Sequence, residues 1–283
     1  MGEKRIARVF PRRTAATPDD DLAFVDCTPP MLTLPELDEV HVSVAFTWDR
    51  KRAEQLAYEW GILGVPVKVG GPAYGDRMGD FVAGRYIKQG YTITSRGCPN
   101  QCWFCEVGRV AKGHVQELQI QDGWNILDDN ILATSRVHFD AVIEMLKRQP
   151  QRPIFTGGIE AKLLTDYHAA RLRECRTKRL YCAYDTPDDL EPLIEAGNKL
   201  RNAGFTIKSH ALCCYVLIGY RGDTFERAEK RLHQTIAAGF VPYAMLYRDD
   251  AGAVDVGWRR FQREWCRPQI VTTKLMQEGE DGH

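Results

Sequence analysis

The feature that most constrains the fold is a regular alternation of strand and helix patterns after residue 90. Six apolar, β-branched segments predict strands near residues 91–95, 124–127, 154–156, 179–183, 207–217 and 243–247. Amphipathic patterns between them predict helices at residues 137–147, 161–173, 187–202 and 224–238. Such alternation is typical of the α/β class with a parallel sheet. A full TIM-type barrel typically takes about 250 residues, so the pattern favours a partial (βα)6 TIM-like barrel.

The N-terminal region has its own strand and helix patterns. Two short apolar segments, residues 6–10 and 22–25, predict edge strands. A strand–helix–strand pattern follows at residues 41–47, 50–62 and 65–69, as in half of a doubly wound sheet. We therefore expect a small α/β extension before the barrel. The expected division is an extension over residues 1–85, the barrel over 86–250, and a C-terminal appendage with a polar tail over 251–283.

The charge and hydropathy of the chain indicate which partners and which cellular compartment to expect. Lys plus Arg and Asp plus Glu both total 38, so no overall field attracts nucleic acid or an anionic membrane. No segment approaches the roughly 18 uncharged apolar residues of a membrane span, and we expect no membrane association. The basic N-terminus lacks the apolar core of a secretory signal. A cytoplasmic location follows as the expectation, and there the 9 cysteines favour metal ligation or burial over disulfides.

Three of these cysteines are closely spaced directly after the first predicted strand. Cys98, Cys102 and Cys105 form a C-x3-C-x2-C pattern. Iron–sulfur clusters are held by cysteine thiolates, usually four of them. Three thiolates would leave one iron of a [4Fe–4S] cubane open to a small-molecule ligand, as a catalytic metal keeps an open position. Gly97 and Pro99 suit a loop that turns around such a cluster.

This segment resembles the signature of the radical S-adenosylmethionine (SAM) superfamily, which has this spacing and an aromatic residue, here Phe104, before the last cysteine. The resemblance implies one [4Fe–4S] cluster on Cys98, Cys102 and Cys105. It also implies SAM chelated to the open iron, and reductive cleavage of SAM to a 5′-deoxyadenosyl radical that abstracts hydrogen from a substrate. An external electron donor such as flavodoxin or ferredoxin is expected as a partner.

The resemblance also implies where SAM contacts should lie, because functional residues of parallel barrels gather at the carboxyl ends of the strands. The second strand ends in Asp128, Asp129 and Asn130, where the family often has Gly-Gly-Glu. We take Asp129 as the partner of the SAM ammonium, and an acidic turn is the alternative. The further candidates at strand ends are Gly157, Gly158, Tyr184, Gly219 and Met245. Their alternatives are turns, helix caps and barrel core, with Asp185 or Thr186 capping the next helix.

The N-terminal region and a basic stretch near the C-terminus bear on the radical SAM interpretation. The N-terminal region is distantly similar to the cobalamin-binding domain of some radical SAM proteins, but it is truncated and lacks an Asp-x-His-x-x-Gly segment. A basic, aromatic stretch at residues 258–267 resembles nucleic-acid surfaces, although a solvated amphipathic helix face is the commoner explanation of such a pattern. The sequence does not identify the substrate, and nucleic acid is among the candidates.

Two rival classes of protein remain. One is a zinc-stabilised binding module, and the other is an electron-transfer protein without SAM chemistry.

Overall fold

The computed structural model describes residues 4–76, 80–206 and 209–266. The chain divides into two compact units, one formed by residues 1–92 with 250–252 and the other by residues 93–249 with 253–283. The first two residues of the predicted strand 207–217 and the predicted polar tail after residue 276 lie outside the described residues.

The first unit contains a parallel sheet of four strands. They are β1 (Ile6–Phe10), β2 (Ala23–Val25), β3 (Glu39–Ser43) and β4 (Val67–Gly70), in the order β2-β1-β3-β4. One helix, α1 (Arg50–Trp60), packs against the sheet through Ala53, Leu56 and Trp60. The expectation that both early segments form edge strands is wrong for residues 6–10, because β1 pairs with β2 on one side and β3 on the other.

A six-stranded sheet provides the framework for the cysteine motif. Its members are β5 (Tyr91–Thr92), β8 (Asn125–Ile126), β9 (Ile154–Phe155), β10 (Arg179–Tyr184), β11 (Leu212–Ile218) and β12 (Val241–Leu246). They lie side by side in chain order, and β8 to β12 pair in parallel. Two further strands, β6 (Ser95–Gly97) and β7 (Val115–Glu117), form a separate antiparallel hairpin.

Six helices follow in the second unit, which brings the total among the described residues to seven. They are α2 (Glu106–Ala111), α3 (Arg136–Lys147), α4 (Asp166–Glu174), α5 (Leu190–Asn202), α6 (Phe225–Ala237) and α7 (Val256–Trp265). One continuous core joins α3 to α6 with the strands, and Trp265 of α7 is buried in it. The α/β class with parallel sheets is therefore confirmed.

The structure departs from the expected elements where the cysteines lie. The predicted first strand, residues 91–95, divides into β5 and β6. The hairpin and α2 had no counterpart in the sequence patterns, because their pairing depends on contacts outside the local sequence. Residues 251–266 of the predicted appendage include α7, which packs against β12. No helix within the described ranges is both long and apolar enough to cross a bilayer.

One close approach between neighbouring strand ends yields a test of the sheet. A Cβ atom at Gly157 would lie 2.7 Å from the carbonyl carbon of Leu127, against backbone rather than a movable side chain. We expect Gly157→Ala to lower the free energy of unfolding by about 1–3 kcal/mol in a denaturant titration. Gly61→Ala is the control, since nothing lies within 4 Å of its Cβ position. Equal stability of the two variants would show that the strand ends are not this close.

Candidate functional site

The three cysteines lie in the loop that the β6–β7 hairpin closes. Gly97 ends β6 with a φ of +87°, and a Cβ atom there would collide with the carbonyl oxygen of His114. Glycine is therefore required for the two strands to meet at the base of the loop. Cys105 directly precedes α2, and its backbone N–H donates to the carbonyl of Cys102 at 3.0 Å. The loop is thus a compact turn that leads into a short helix.

Three consecutive side chains after β8 hold this loop. The buried carboxylate of Asp128 accepts hydrogen bonds from the Thr94 amide and hydroxyl, both at 2.6 Å, and from the Ser95 hydroxyl at 2.7 Å. Asp129 accepts from the Gly97 amide at 2.8 Å. Asn130 Nδ2 donates to Cys98 Sγ at 3.4 Å. We call Asp128, Asp129 and Asn130 the β8 clamp. Burial raises the pKa of Asp128, while its hydrogen bonds from Thr94 and Ser95 oppose that rise.

The thiols of the motif are half-buried and influence one another. Burial raises the pKa of Cys102, and the negative charges of Cys105 and Cys98 raise it further. Burial likewise raises the pKa of Cys98, against the hydrogen bond from Asn130. Each thiol therefore lies within electrostatic range of the other two. Across residues 4–76, 80–206 and 209–266, however, no three Cys, His, Asp or Glu side chains are grouped closely enough to hold a metal ion.

A carboxylate that the sequence analysis passed over joins this site. Glu160 follows β9 and accepts a hydrogen bond from Asn130 Nδ2 at 2.6 Å, so it lies beside Cys98. The other amide atom, Asn130 Oδ1, is buried and has no hydrogen-bond partner. Buried polar atoms are nearly always paired, and an orphaned acceptor at a site is typical of a place that receives a donor from a bound molecule. Both residues lie in the loops that follow β8 and β9, and that position was the signal available in the sequence.

Asp185, after β10, borders the same region. Its Oδ1 accepts from the Leu217 amide at 3.2 Å, and its charge acts on Cys102. The helix cap is made by Thr186 with Asp189, so the capping alternative is confirmed for Thr186 and wrong for Asp185. Burial, reinforced by the charge of Asp189, raises the pKa of Asp185 to about 7. A carboxyl group whose pKa is strongly raised by burial and a neighbouring like charge is often found at functional sites.

A cavity of about 200 Å³ lies at the carboxyl ends of β11 and β12. Gly219 is at its edge with a φ of +72°, where a Cβ atom would be 2.7 Å from Leu246 Cδ1 and about 3.0 Å from the Trp258 ring. The cavity is lined by Gly219, Arg221, Leu246, Tyr247, Asp249, Ala253, Val254, Asp255 and Trp258. The lining thus combines the aromatic ring of Trp258, the backbone at Gly219, the positive charge of Arg221 and the negative charges of Asp249 and Asp255. Of the predicted SAM residues, Gly219 is the one that borders this cavity.

A buried ion pair holds the Gly219 turn in place. Asp223 Oδ2 accepts from the Gly219 amide at 2.9 Å and from Arg231 Nη2 at 2.7 Å. Both side chains are almost fully buried, with 0% and 8% exposed. The N-cap of α6 is the adjacent Thr224, whose side chain accepts from the Arg227 amide. Asp223 instead holds the Gly219 turn, which forms the edge of the cavity.

Aromatic side chains join the cysteine loop to this cavity. Trp103, which is 55% exposed, has its ring centroid 5.6 Å from that of Tyr220 and 5.7 Å from that of Tyr247. Phe104 meets Trp103 edge-on at 5.3 Å. Because Tyr247 also lines the cavity, the loop and the cavity are parts of one site at one edge of the sheet.

The remaining predicted site residues lie elsewhere. Gly157 packs against the backbone of Leu127 and Asp128, whereas Gly158 has a φ of +105° and a Cβ atom there would lie 3.8 Å from the carbonyl oxygen of Tyr181. Tyr184 is buried in the helix-side core, where its hydroxyl donates to Gln234 at 2.8 Å. Met245 is on the opposite, open face of the sheet and is exposed. The structure therefore brings Asp129 and Gly219 to the site region and gives Tyr184 a packing role.

Two adjacent cysteines near the start of β11 point to opposite faces. Cys214 is in the core beside Cys182, and Cys213 faces the other side. Burial raises the pKa of Cys182 to about 12 and that of Cys213 to about 11. Cys213 is the second residue of β11, some six residues of extended chain from Gly219, which is about 20 Å. A role for Cys213 in donating hydrogen at the carboxyl edge is therefore not supported.

The basic aromatic stretch forms α7. Its aromatic residues turn inward, with Trp265 buried and Trp258 and Phe261 packed against the core. Arg259, Arg260 and Arg263 are exposed on the other side, as in an ordinary solvated face. Arg267, the last residue of the stretch, lies outside the described residues.

Comparison of the chain with protein-family models and with curated proteins gave no match. A functional assignment therefore depends on the residues and geometry of the chain itself.

The raised pKa of Asp185 predicts a pH-dependent stability. An unfolded aspartate releases its proton near pH 4, whereas folded Asp185 holds it to about pH 7. The stability of the parent should therefore fall as pH rises from about 4 to about 7, and the loss should persist above that. Asp185→Asn keeps the acceptor for the Leu217 amide and removes the charge. We expect its melting temperature to exceed that of the parent at pH 8 and to approach it at pH 4.

The exposed neighbour Asp188 supplies the control for this measurement. Asp188→Asn should follow the parent at both pH values. A constant difference between Asp185→Asn and the parent from pH 4 to pH 8 would contradict the assignment.

Proposed function

We propose that the chain is a radical SAM enzyme, which holds one [4Fe–4S] cluster on Cys98, Cys102 and Cys105 and cleaves SAM reductively. The observation that carries the proposal is a C-x3-C-x2-C loop fastened by the β8 clamp at the carboxyl edge of a parallel sheet, with a cavity of about 200 Å³ beside it. When bound, the cluster supplies one electron to the SAM sulfonium, which gives methionine and a 5′-deoxyadenosyl radical.

The donor set of the loop fits such a cluster. Thiolates are the ligands that iron–sulfur clusters take, and the three thiols lie within electrostatic range of one another. The raised pKa values of Cys98 and Cys102 favour retention of their protons until a metal binds, since positive charge on iron would compensate the repulsion between the thiolates. The ungrouped thiols would be drawn together on cluster assembly, with the base of the loop fixed by Gly97 and the β8 clamp.

The groups around the loop suit the two ends of SAM. Glu160 supplies a negative charge beside Cys98 for the SAM ammonium, and Asn130 Oδ1 supplies an orphaned acceptor. Asp129, assigned to the ammonium from the sequence, is engaged by the Gly97 amide, so Glu160 is the better placed carboxylate. The adenine would enter the cavity, where the turn at Gly219 exposes backbone and Trp258 provides a ring face.

The arrangement of the second unit supports a partial (βα)6 barrel as the framework. Its parallel strands follow chain order without the reversal of a doubly wound sheet, and α3 to α6 share one core with them. Tyr181, Tyr215 and Tyr243 lie on the face away from that core, where a barrel interior would receive the substrate. We propose a cytosolic enzyme that takes its electron from an external flavodoxin or ferredoxin, because reduced thiols persist in that compartment.

Replacement of the three cysteines tests the metal site. After anaerobic reconstitution, the parent should contain about four iron and four sulfide ions per chain and form 5′-deoxyadenosine from SAM and dithionite. The Cys98→Ala, Cys102→Ala, Cys105→Ala triple variant should lose both the brown chromophore and that product. Cys27→Ser, which changes a half-buried thiol outside the site, should keep both.

Two outcomes would overturn the proposal. Zinc without iron or sulfide in the parent would favour the zinc-stabilised binding module. A cluster whose reduced EPR signal does not respond to SAM would favour an electron-transfer protein.

A pair of glycines tests the cavity. Gly219 and Gly222 both have positive φ, at +72° and +85°, so alanine introduces similar backbone strain at each. At Gly219 the new methyl group would also press on Leu246 and Trp258, whereas nothing lies within 4 Å at Gly222. We expect Gly219→Ala to weaken SAM binding about tenfold or more in equilibrium dialysis, which corresponds to about 1.4 kcal/mol. Gly222→Ala should bind SAM like the parent, and equal affinities for both variants would exclude this cavity as the SAM site.

A further inference from the structure

Asn130 differs from the other members of the β8 clamp because it contacts a proposed cluster ligand directly. Its side chain is 3% exposed, and Nδ2 donates at 3.4 Å to Cys98 Sγ and at 2.6 Å to Glu160 Oε2. An amide nitrogen carries two N–H groups, so it can serve both acceptors at once. The side chain therefore links the sulfur of Cys98 to a carboxylate on the neighbouring strand end.

Glu160 fixes which end of the amide faces the sulfur. If the amide were rotated by half a turn, Oδ1 would lie against a carboxylate oxygen at hydrogen-bond distance, and the two acceptors would repel each other. The observed orientation leaves Oδ1 buried without a partner, which is a cost that the hydrogen bond to Glu160 offsets. The N–H group beside Cys98 is thus held in place by a charge outside the cysteine loop.

We infer that Asn130 is a positioning residue that raises the reduction potential of the cluster through its N–H···S hydrogen bond to Cys98. This inference rests on the proposed function. Uptake of one electron by the cluster adds one negative charge, which spreads over the sulfur atoms. A hydrogen-bond donor stabilises that charge more in the reduced than in the oxidised state, and such bonds to sulfur are known to set the potentials of iron–sulfur clusters.

The burial of Asn130 strengthens this effect. Its N–H group acts across a short distance in a region of low dielectric constant, where water does not replace a lost donor. Glu160 acts in the opposite direction through its negative charge, so the two side chains set the potential together. Easier reduction matters for this site because the electron must come from an external donor.

Redox titration of the reconstituted full chain tests the inference. Midpoint potentials would be measured anaerobically by EPR with dithionite as the reductant and without SAM. Asn130→Leu removes the donor with little change in volume and should lower the midpoint potential. Asn130→Asp removes the donor and adds a negative charge, so it should lower the potential further.

Asn125 offers a matched control on the same strand. Its side chain is also buried, with Oδ1 unpartnered, and Asn125→Leu makes the same chemical change away from the loop. The potential of Asn125→Leu should equal that of the parent. Asn130 variants with clusters at the parent's potential would overturn the inference and leave the proposed function intact.

The remaining outcomes are also decisive. If both Asn130 variants fail to assemble a cluster while Asn125→Leu succeeds, Asn130 serves cluster assembly and the inference of tuning is wrong. If the parent itself holds no iron and sulfide, the proposed function fails, and the inference fails with it.

Discussion

Three adjacent side chains at the end of one short strand determine where the cysteine loop lies. Asp128 holds the start of the loop segment, Asp129 holds Gly97, and Asn130 reaches Cys98. The clamp is itself held from the other side, because Gly157 lets the next strand end press against the backbone at Leu127 and Asp128. The position of the cysteine loop thus follows from hydrogen bonds to side chains at the edge of the sheet.

The same edge of the sheet brings together groups that are far apart in the chain. Glu160 and Asp185 follow β9 and β10, and Gly219 and Tyr247 follow β11 and β12. Parallel strands in chain order bring every such position to one side, so each connection adds one contribution to a common site. The Asp223–Arg231 pair shows that some of the charge there serves the shape of a turn rather than contact with a ligand.

Sequence patterns predicted most of the elements because the helices and longer strands bury regular apolar faces. The predicted helices agree with α3 and α6 within one or two residues, and residues 179–183 agree with β10. The prediction of one strand over residues 91–95 was wrong for a physical reason. Thr94 and Ser95 are buried polar residues that are hydrogen-bonded to Asp128, which lies far along the chain. The periodicity of a local segment gives no information about a hydrogen-bond partner so distant in the chain.

Candidate site residues divide along similar lines. Spacing and position at strand ends predicted the cysteines and Gly219 as site residues, and Gly219 borders the cavity. Tyr184 was misjudged although it shares a face with Leu180 and Cys182, a period-two relation that already predicted burial in the core. Glu160 and Asn130 are linked by a hydrogen bond between side chains that follow two different strands. Such a pair cannot be predicted from either sequence segment alone.

The deep burial of the other thiols has a consequence for maturation of the protein. Cys182 and Cys214 lie in the core between the sheet and its helices, and burial raises the pKa of both thiols, so both stay protonated at neutral pH. If the proposed cluster forms on the loop, iron that enters the folded chain would meet no ionised competing thiol in that part of the core. The order of events then matters, since metal that arrives before the sheet has closed encounters those sulfur atoms as rivals for the loop.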